Sequence, residues 1–115
     1  MGTTSKPDPA TAVVPILLSR EPTDRELNYA KKSLQNAWFE LRNCPVGSRN
    51  AKLNALGYSL GRQIARGWIS RERVEDFLLR ASADCGLLHD DGERQCRATL
   101  NSGLDAGVQR PYHDI

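Results

Sequence analysis

The chain has 115 residues, of which 39% are hydrophobic, only 6% are aromatic and 26% are charged, and its 16 basic and 14 acidic side chains give a net charge of +2. This length suits a single domain with a lean hydrophobic core. No stretch approaches the roughly 20 apolar residues that a membrane span needs, which excludes an integral membrane protein. The three cysteines form neither a disulfide framework nor a zinc pattern, and they predict a cytoplasmic protein with reduced thiols.

The N-terminal region differs from the rest of the chain in its proline content. Residues 1–22 contain four of the six prolines. Because proline fixes φ and lacks an N–H, this stretch is not expected to be helical. We predict a proline-rich N-terminal arm or tail over 1–22, either disordered or docked as an extended segment through residues 13–18. A helical bundle over 23–111 and a C-terminal tail over 112–115 complete the predicted organisation.

Capping residues and apolar spacing predict the first two helices. Thr23 followed by Glu26 forms a capping-box pattern at the start of a first helix over 24–43. Ser48 is the expected N-cap of a second helix that continues to about residue 66. The apolar residues of this second helix recur at the spacing of a buried helical stripe, namely Leu53, Leu56, Leu60 and Ile64.

Two further helices follow. Ser70 is the expected N-cap of a third helix that ends at Gly86. The acidic run over 90–93 is favourable at the start of a fourth helix, which Pro111 ends. No segment alternates between apolar and polar residues with the period of two that strands require. The sequence therefore predicts an all-α fold, a small bundle of about four helices joined by short loops.

Catalytic and metal-binding patterns are missing from the sequence. It contains no nucleophile-elbow, zinc-protease or glycine-rich phosphate-binding motif, and its two histidines lie in a predicted loop and in the C-terminal tail. The carboxylates of Asp90, Asp91 and Glu93 offer metal ligands, but acidic residues at a helix start more often balance the helix dipole. We predict that the protein is not an enzyme and holds neither a cofactor nor a metal.

The distribution of charge along the chain is more informative. No acidic residue occurs between Glu40 and Glu72. The interval holds six basic residues, namely Arg42, Arg49, Lys52, Arg62, Arg66 and Arg71. At about 100° per residue, Lys52, Arg62 and Arg66 share one face of the second helix, away from its apolar stripe. A basic face of this kind can follow a phosphate backbone. The alternative is a solvated face that balances the acidic helices 3 and 4.

Two asparagines also need a reason, because asparagine is a poor helix former. Asn50 and Asn54 lie one helical turn apart. They suit hydrogen bonds to a nucleic-acid backbone or nucleotide, but the pattern alone favours capping and interhelical hydrogen bonds. The small residues over 99–107, with Arg97 and Arg110 nearby, likewise permit either close helix packing or the approach of a phosphate.

Two separated runs resemble a module found C-terminal to the catalytic domain of bifunctional DNA primase/polymerase proteins of phages, plasmids and integrated elements. The first run is Arg49-Asn50-x-x-Leu53-Asn54 followed by Tyr58-Ser59-Leu60-Gly61. The second is Gly86-Leu87, Asp90-Asp91-Gly92-Glu93, Arg97-Ala98-Thr99-Leu100 and Ser102-Gly103-Leu104-x-Ala106-Gly107. The similarity spans residues 29–111, and it implies a helical bundle that helps to hold template DNA and nucleotide during priming. This chain carries no catalytic primase domain or helicase motor, so we do not expect it to polymerise or hydrolyse nucleotides itself.

Together these features predict a non-catalytic DNA-binding helical bundle from a phage, prophage or plasmid, accessory to DNA replication or priming. The predicted site consists of Arg49, Asn50, Lys52, Asn54, Arg62 and Arg66, with secondary contacts from Arg97 and Arg110. The expected partners are DNA, as a single strand or template duplex, and a primase or helicase protein. We expect no membrane partner.

Two alternative functions remain open on the sequence alone. A protein-interaction module that recruits or inhibits a replication protein would use the dipolar surface and the acidic segment over 72–93. A small helix-turn-helix regulator would use the short turn over 67–70 between the second and third helices. Against the regulator, Glu72, Glu75 and Asp76 lie on the helix that would enter the DNA groove, where phosphate would repel them.

Overall fold

A computed structural model describes residues 21–115, so almost all of the predicted N-terminal arm over 1–22 lies outside the described residues. The described chain forms five α-helices and no strand. The helices are α1 (Asp24–Asn43), α2 (Arg49–Ile64), α3 (Arg71–Asp84), α4 (Leu87–Asp91) and α5 (Glu93–Val108), and a 3-10 turn over Val46–Ser48 precedes α2. The predicted all-α fold is confirmed.

A reciprocal capping box starts α1, as the sequence predicts. The Glu26 N–H donates to Thr23 Oγ1 at 3.1 Å, and the Thr23 N–H donates to Glu26 Oε1 at 3.0 Å. Each bond satisfies a backbone donor that a helix start leaves without an intrahelical partner. The helix then runs over the predicted range and buries Leu34 and Leu41 in the core.

The predicted caps of the next two helices have different outcomes. Ser70 caps α3, since its hydroxyl accepts a hydrogen bond from the Arg73 N–H at 3.1 Å. Ser48 precedes α2 but its side chain makes no capping bond. The reason is its backbone, at φ −111° and ψ 1° after the 3-10 turn, which is not the extended conformation that aims a cap side chain forward. The helix also ends at Ile64, before the turn at Gly67.

The segment between α3 and α5 is more divided than the sequence predicts. A short helix, α4, precedes the predicted fourth helix, which begins at Glu93, the last residue of the acidic run. Gly86 and Gly92 flank α4 with φ of 90° and 87°. Residues with a side chain rarely adopt such positive φ values, so the two glycines allow the chain to leave one helical direction and begin another.

The core lies where α1, α2, α3 and α5 meet. Its fully buried side chains are mainly leucines, namely Leu41, Leu53, Leu78, Leu100 and Leu104. The rings of Trp38 and Phe77 pack edge to face with their centres 5.1 Å apart, and both contact this core. Cys96 is also fully buried, and burial raises the pKa of its thiol. The most extensive contact among the described helices joins α2 to α5, which run parallel side by side.

Candidate nucleic-acid interface

All six residues of the predicted primary site lie on α2 or immediately after it, but the structure divides them between its two ends. Arg49, Asn50 and Asn54 lie near the N-terminus of α2, whereas Arg62 and Arg66 lie near its C-terminus. The 13 residues between Arg49 and Arg62 correspond to about 20 Å at 1.5 Å per residue. The predicted residues therefore do not form one continuous site.

Arg49 is held by backbone carbonyl groups within the protein. Its Nη1 donates to the carbonyl oxygen of Cys85 at 2.7 Å, and its Nε donates to that of Cys44 at 3.0 Å. A third bond joins Nη2 to the Arg42 carbonyl at 3.3 Å. The acceptors lie at the C-terminal ends of α1 and α3, where carbonyls lack intrahelical partners and the helix dipole favours a cation. Arg49 thus ties three helices together.

The two asparagines join α2 to α5. Asn50 Nδ2 donates to Thr99 Oγ1 at 3.0 Å and to Asp91 Oδ2 at 3.2 Å. Asn54 Nδ2 donates to the Thr99 carbonyl oxygen at 3.1 Å. These are the interhelical hydrogen bonds that the asparagine spacing favours over a nucleic-acid contact.

The two runs that carry the family resemblance meet at this same helix contact. A Cβ added at Gly103 would overlap the carbonyl oxygen of Asn54, and one added at Gly107 would overlap the carbonyl oxygen of Tyr58. Gly61 lies against Gly107, so the backbones of the two helices touch. Close packing of α2 on α5 is therefore a sufficient structural reason for the glycines Gly61, Gly103 and Gly107 of the two runs.

Lys52 and Arg97 form separate exposed ion pairs. Lys52 Nζ lies 3.5 Å from Glu40 Oε1, and Arg97 Nε lies 2.7 Å from Glu93 Oε2. Exposed pairs of this kind contribute little to stability and do not fix the side chains strongly. Neither Lys52 nor Arg97 contacts another residue of the predicted DNA-binding site through these pairs.

The C-terminal end of α2, in contrast, brings Arg62 and Arg66 together with the backbone of Arg110. Arg62 Nε donates to the backbone carbonyl oxygen of Arg110 at 2.8 Å. Arg66, one turn further along the chain, donates from Nη1 to the Tyr112 carbonyl oxygen at 2.6 Å. Two residues of the primary site and one secondary contact thus converge where α2 and α5 both end.

Aromatic side chains surround these arginines. The Arg62 guanidinium lies 4.8 Å from the centre of the Tyr112 ring, and that of Arg66 lies 5.4 Å from the Trp68 ring. The hydroxyl groups of Tyr29 and Tyr112 are 2.9 Å apart, and this hydrogen bond, with partial burial, raises the pKa of Tyr29. We call this group the basic–aromatic end. It comprises Arg62, Arg66, Arg110, Tyr29 and Trp68, and the Tyr112 ring of the segment that follows α5 lies over it.

Sequence reasoning missed the contribution of Tyr29 and Tyr112 to this group. They are 83 positions apart in the chain, and no spacing rule connects them. A weak signal was present, since the chain continues past Pro111 with an aromatic residue instead of ending in polar residues. Tyr29 is 38% exposed, so part of its ring is open to solvent.

One carboxylate is paired with this cluster. Arg66 Nη2 lies 2.5 Å from Asp114 Oδ1, and the Arg66 side chain is only 10% exposed. Within residues 21–115, Arg62 and Arg110 form no salt bridge. The cluster therefore carries three positive charges with one partial neutralisation.

The outer side of α3 has the opposite charge. A groove of about 420 Å³ lies between α3 and the α4–α5 segment. Its lining combines carboxylates with an apolar floor and two arginines, namely Glu72, Glu75, Asp76, Glu93, Leu79, Ala83, Leu88, Arg80 and Arg97. These carboxylates would repel phosphate if α3 entered a DNA groove, which argues against a recognition helix here.

Neither a metal-binding cluster nor a membrane-spanning helix occurs in the described part of the chain. Among residues 21–115, no group of three or more histidine, cysteine or acidic side chains is placed to hold a metal ion. None of the helices in this range combines the length and the apolar character that crossing a bilayer requires.

The fold places the chain in the class of small all-α helical bundles. Comparisons with protein-family models, with curated proteins and with solved structures each found no match. The resemblance to the primase-associated module stays a prediction from the sequence.

Proposed function

We propose that this protein is a non-catalytic helical bundle that binds single-stranded DNA at its basic–aromatic end, as an accessory to replication or priming. The observation that carries the proposal is the position of Arg62 and Arg66 next to the backbone of the exposed Arg110 and close to the partly exposed Tyr29. Cationic and aromatic side chains in one patch are the combination that single-strand binding proteins use.

The chemistry of the patch suits a sugar–phosphate backbone. Arg62 uses only Nε in its bond to the Arg110 carbonyl, so its terminal Nη atoms can donate to phosphate oxygens. Arg110 lies next to it with an exposed side chain. The Tyr29 ring can stack on an unpaired base, an interaction worth about 1–3 kcal/mol per base.

A single strand suits this patch better than a duplex. Stacking on Tyr29 requires a base that is free of its partner strand. A duplex would have to be read by a helix lying in a groove, and the exposed side of α3 presents carboxylates. Binding to phosphates and ring faces also carries little sequence information, so we expect weak sequence preference.

The resemblance to primase-associated modules supports the replication context and favours DNA over RNA. Such modules are implicated in holding template DNA for a polymerase domain. On this interpretation the bundle supplies template contacts, and catalysis belongs to a primase or helicase partner. A phage, prophage or plasmid origin remains part of the proposal.

Charge reversal at the patch tests the proposal. We expect Arg62→Glu combined with Arg110→Glu to weaken binding of fluorescein-labelled oligothymidine at least tenfold at low salt, because two phosphate contacts become repulsive. Fluorescence anisotropy measures the affinity, and circular dichroism checks that the variant remains folded.

The matched control is Arg73→Glu combined with Arg94→Glu. Both arginines are exposed, on α3 and α5, and the change in net charge is the same. This control should lose much less affinity. Equal losses in the two double variants would show that only net charge matters, and a wild-type protein that binds no oligonucleotide at low salt would refute the proposal.

The groove between α3 and the α4–α5 segment favours a second candidate function, a protein-interaction module. Its floor contains the side chains of Leu79, Ala83 and Leu88, with carboxylates around them. An apolar floor with an acidic rim suits a basic segment of a replication protein. Retention of a purified primase or helicase after nuclease treatment, with no nucleic-acid binding by the bundle, would support this candidate instead.

A further inference from the structure

We infer that the C-terminal segment over 111–114 is a built-in competitor that occupies the basic–aromatic end and that bound nucleic acid displaces. This inference rests on the proposed function and concerns its regulation. It follows from how closely the segment is bound to the two arginines of α2, and from the chemical groups that it places on them.

The segment makes a short ladder of contacts with α2. The Tyr112 N–H donates to the Arg62 carbonyl oxygen at 3.1 Å, and the Tyr112 carbonyl oxygen accepts from Arg66 Nη1 at 2.6 Å. Two positions later, the Asp114 carboxylate accepts from Arg66 Nη2 at 2.5 Å. The tail thus lies along the cations instead of extending into solvent.

The groups that contact the arginines resemble those of a nucleotide. The Asp114 carboxylate supplies an anion to the guanidinium of Arg66, as a phosphate would. The Tyr112 ring lies under the guanidinium of Arg62 and stacks on the His113 ring at 4.5 Å, as a base would. An anion and a stacked ring are the two features that the proposed site selects in a single strand.

The tail satisfies Arg66 only in part. Arg66 Nε is buried and has no hydrogen-bond partner among the described residues. A buried donor without a partner is unfavourable, so an occupant that reaches it would be preferred. The tail supplies one carbonyl and one carboxylate to this guanidinium, and neither reaches Nε. The imperfect fit is a reason for exchange.

The contact is also weak enough to be displaced. The Asp114 side chain is 74% exposed, and ion pairs with an exposed partner are screened by water and salt. The segment follows the end of α5 at Val108 and belongs to no helix. Its release breaks the contacts of Tyr112 and Asp114 but leaves the helices in place.

Asp114→Asn is the direct test, with Asp84→Asn as its control. Asp84 forms an exposed pair with Arg42 elsewhere on the surface, so both variants gain the same charge. We expect Asp114→Asn to bind oligothymidine about threefold to fivefold more tightly than wild type, the range of an exposed ion pair. Asp84→Asn should change the affinity less than twofold at about 0.1 M salt, where charges farther apart than about 10 Å are screened.

Salt dependence gives a second measurement. When DNA displaces Asp114 in the wild type, the freed carboxylate takes up a cation and offsets part of the counterion release. In Asp114→Asn this offset is absent, so the slope of log K against log salt should be steeper by up to about 0.7, the value for one phosphate on a single strand. A purely structural role for Asp114 would leave the slope unchanged.

The outcomes separate the two proposals. If wild type binds oligothymidine and Asp114→Asn matches Asp84→Asn in both affinity and slope, the competitor inference is wrong and the binding function stands. If neither wild type nor Asp114→Asn binds at low salt, the proposed function itself is wrong. Binding by Asp114→Asn alone would support both.

Discussion

Arg49 donates three hydrogen bonds to backbone carbonyls at the ends of α1 and α3. Guanidinium groups carry five donors in a planar fork, which suits several acceptors at once. Hydrogen bonds to a charged donor contribute more than neutral ones, and a lost partner leaves carbonyls unsatisfied. Arg49 therefore contributes to the stability of the fold, whereas Arg62, with free terminal nitrogens, is available for binding.

We predict that Arg49→Met lowers the free energy of unfolding by about 2–3 kcal/mol, because the three carbonyls lose their charged donor. Urea denaturation monitored by circular dichroism measures this free energy of unfolding. Arg42→Met is the control, since Arg42 makes one exposed ion pair through its side chain and should lose no more than about 1 kcal/mol. If Arg49→Met left the stability unchanged but reduced DNA binding, Arg49 would belong to the binding site, as the sequence predicts.

The local residue patterns were readable from the sequence, and the distant contacts were not. The capping box of Thr23 and Glu26 and the cap at Ser70 connect residues three positions apart, so a short window contains all their chemistry. Arg49 reaches the Cys85 carbonyl across 36 positions, and only the folded chain brings them together. The sequence therefore predicted three of the basic-end arginines but not their neighbours.

At the scale of helices, the parallel contact between α2 and α5 depends on glycine. Gly103 and Gly107 lie directly against backbone carbonyl oxygens of α2, where any side chain would overlap. Backbone atoms cannot move aside as a flexible side chain can, so the cost of adding a methyl group is high at these positions. The contact also positions the basic–aromatic end, because Arg62 lies in the last turn of α2 and Arg110 follows the end of α5.

We predict that Gly103→Ala destabilises the protein by about 1–3 kcal/mol despite the better helix propensity of alanine, because its Cβ would overlap the Asn54 carbonyl oxygen. Thermal and urea unfolding measure the change. Gly47→Ala is the control, since nothing lies within 4 Å of an added Cβ there. A neutral Gly103→Ala would mean that α2 and α5 can separate without loss.

The sequence predicted the long helices, but it did not predict that a separate short helix, α4, lies between α3 and α5. Apolar periodicity predicted α1, α2 and α3, and the predicted caps were correct for α1 and α3. Leu87 and Leu88 were expected to lead into the fourth helix and Asp90 and Asp91 to start it, whereas the structure joins these residues in a separate short helix. The sequence contains the two glycines that flank α4, Gly86 and Gly92, but it does not reveal that both adopt a positive φ in the folded chain.

At the scale of the whole molecule, charge that is contiguous in the sequence is dispersed in space. The acid-free interval between Glu40 and Glu72 supplies Arg49 to the carbonyl ends of α1 and α3, Lys52 to an ion pair and only Arg62 and Arg66 to the proposed site. Arg110 joins them from the far end of the chain. The proposed DNA site therefore has three cations, fewer than the six basic residues counted along this interval of the sequence.

This count fixes the expected salt dependence of binding. Three phosphate contacts on a single strand predict a slope of log K against log salt of about −2, reduced toward about −1.4 if Asp114 offsets one of them. Anisotropy titrations of wild type with oligothymidine over a range of salt concentrations measure it. Duplex DNA of the same length should bind more weakly, because paired bases cannot stack on Tyr29. A slope steeper than about −4 would require cations outside the basic–aromatic end, and tighter binding to duplex would contradict single-strand recognition there.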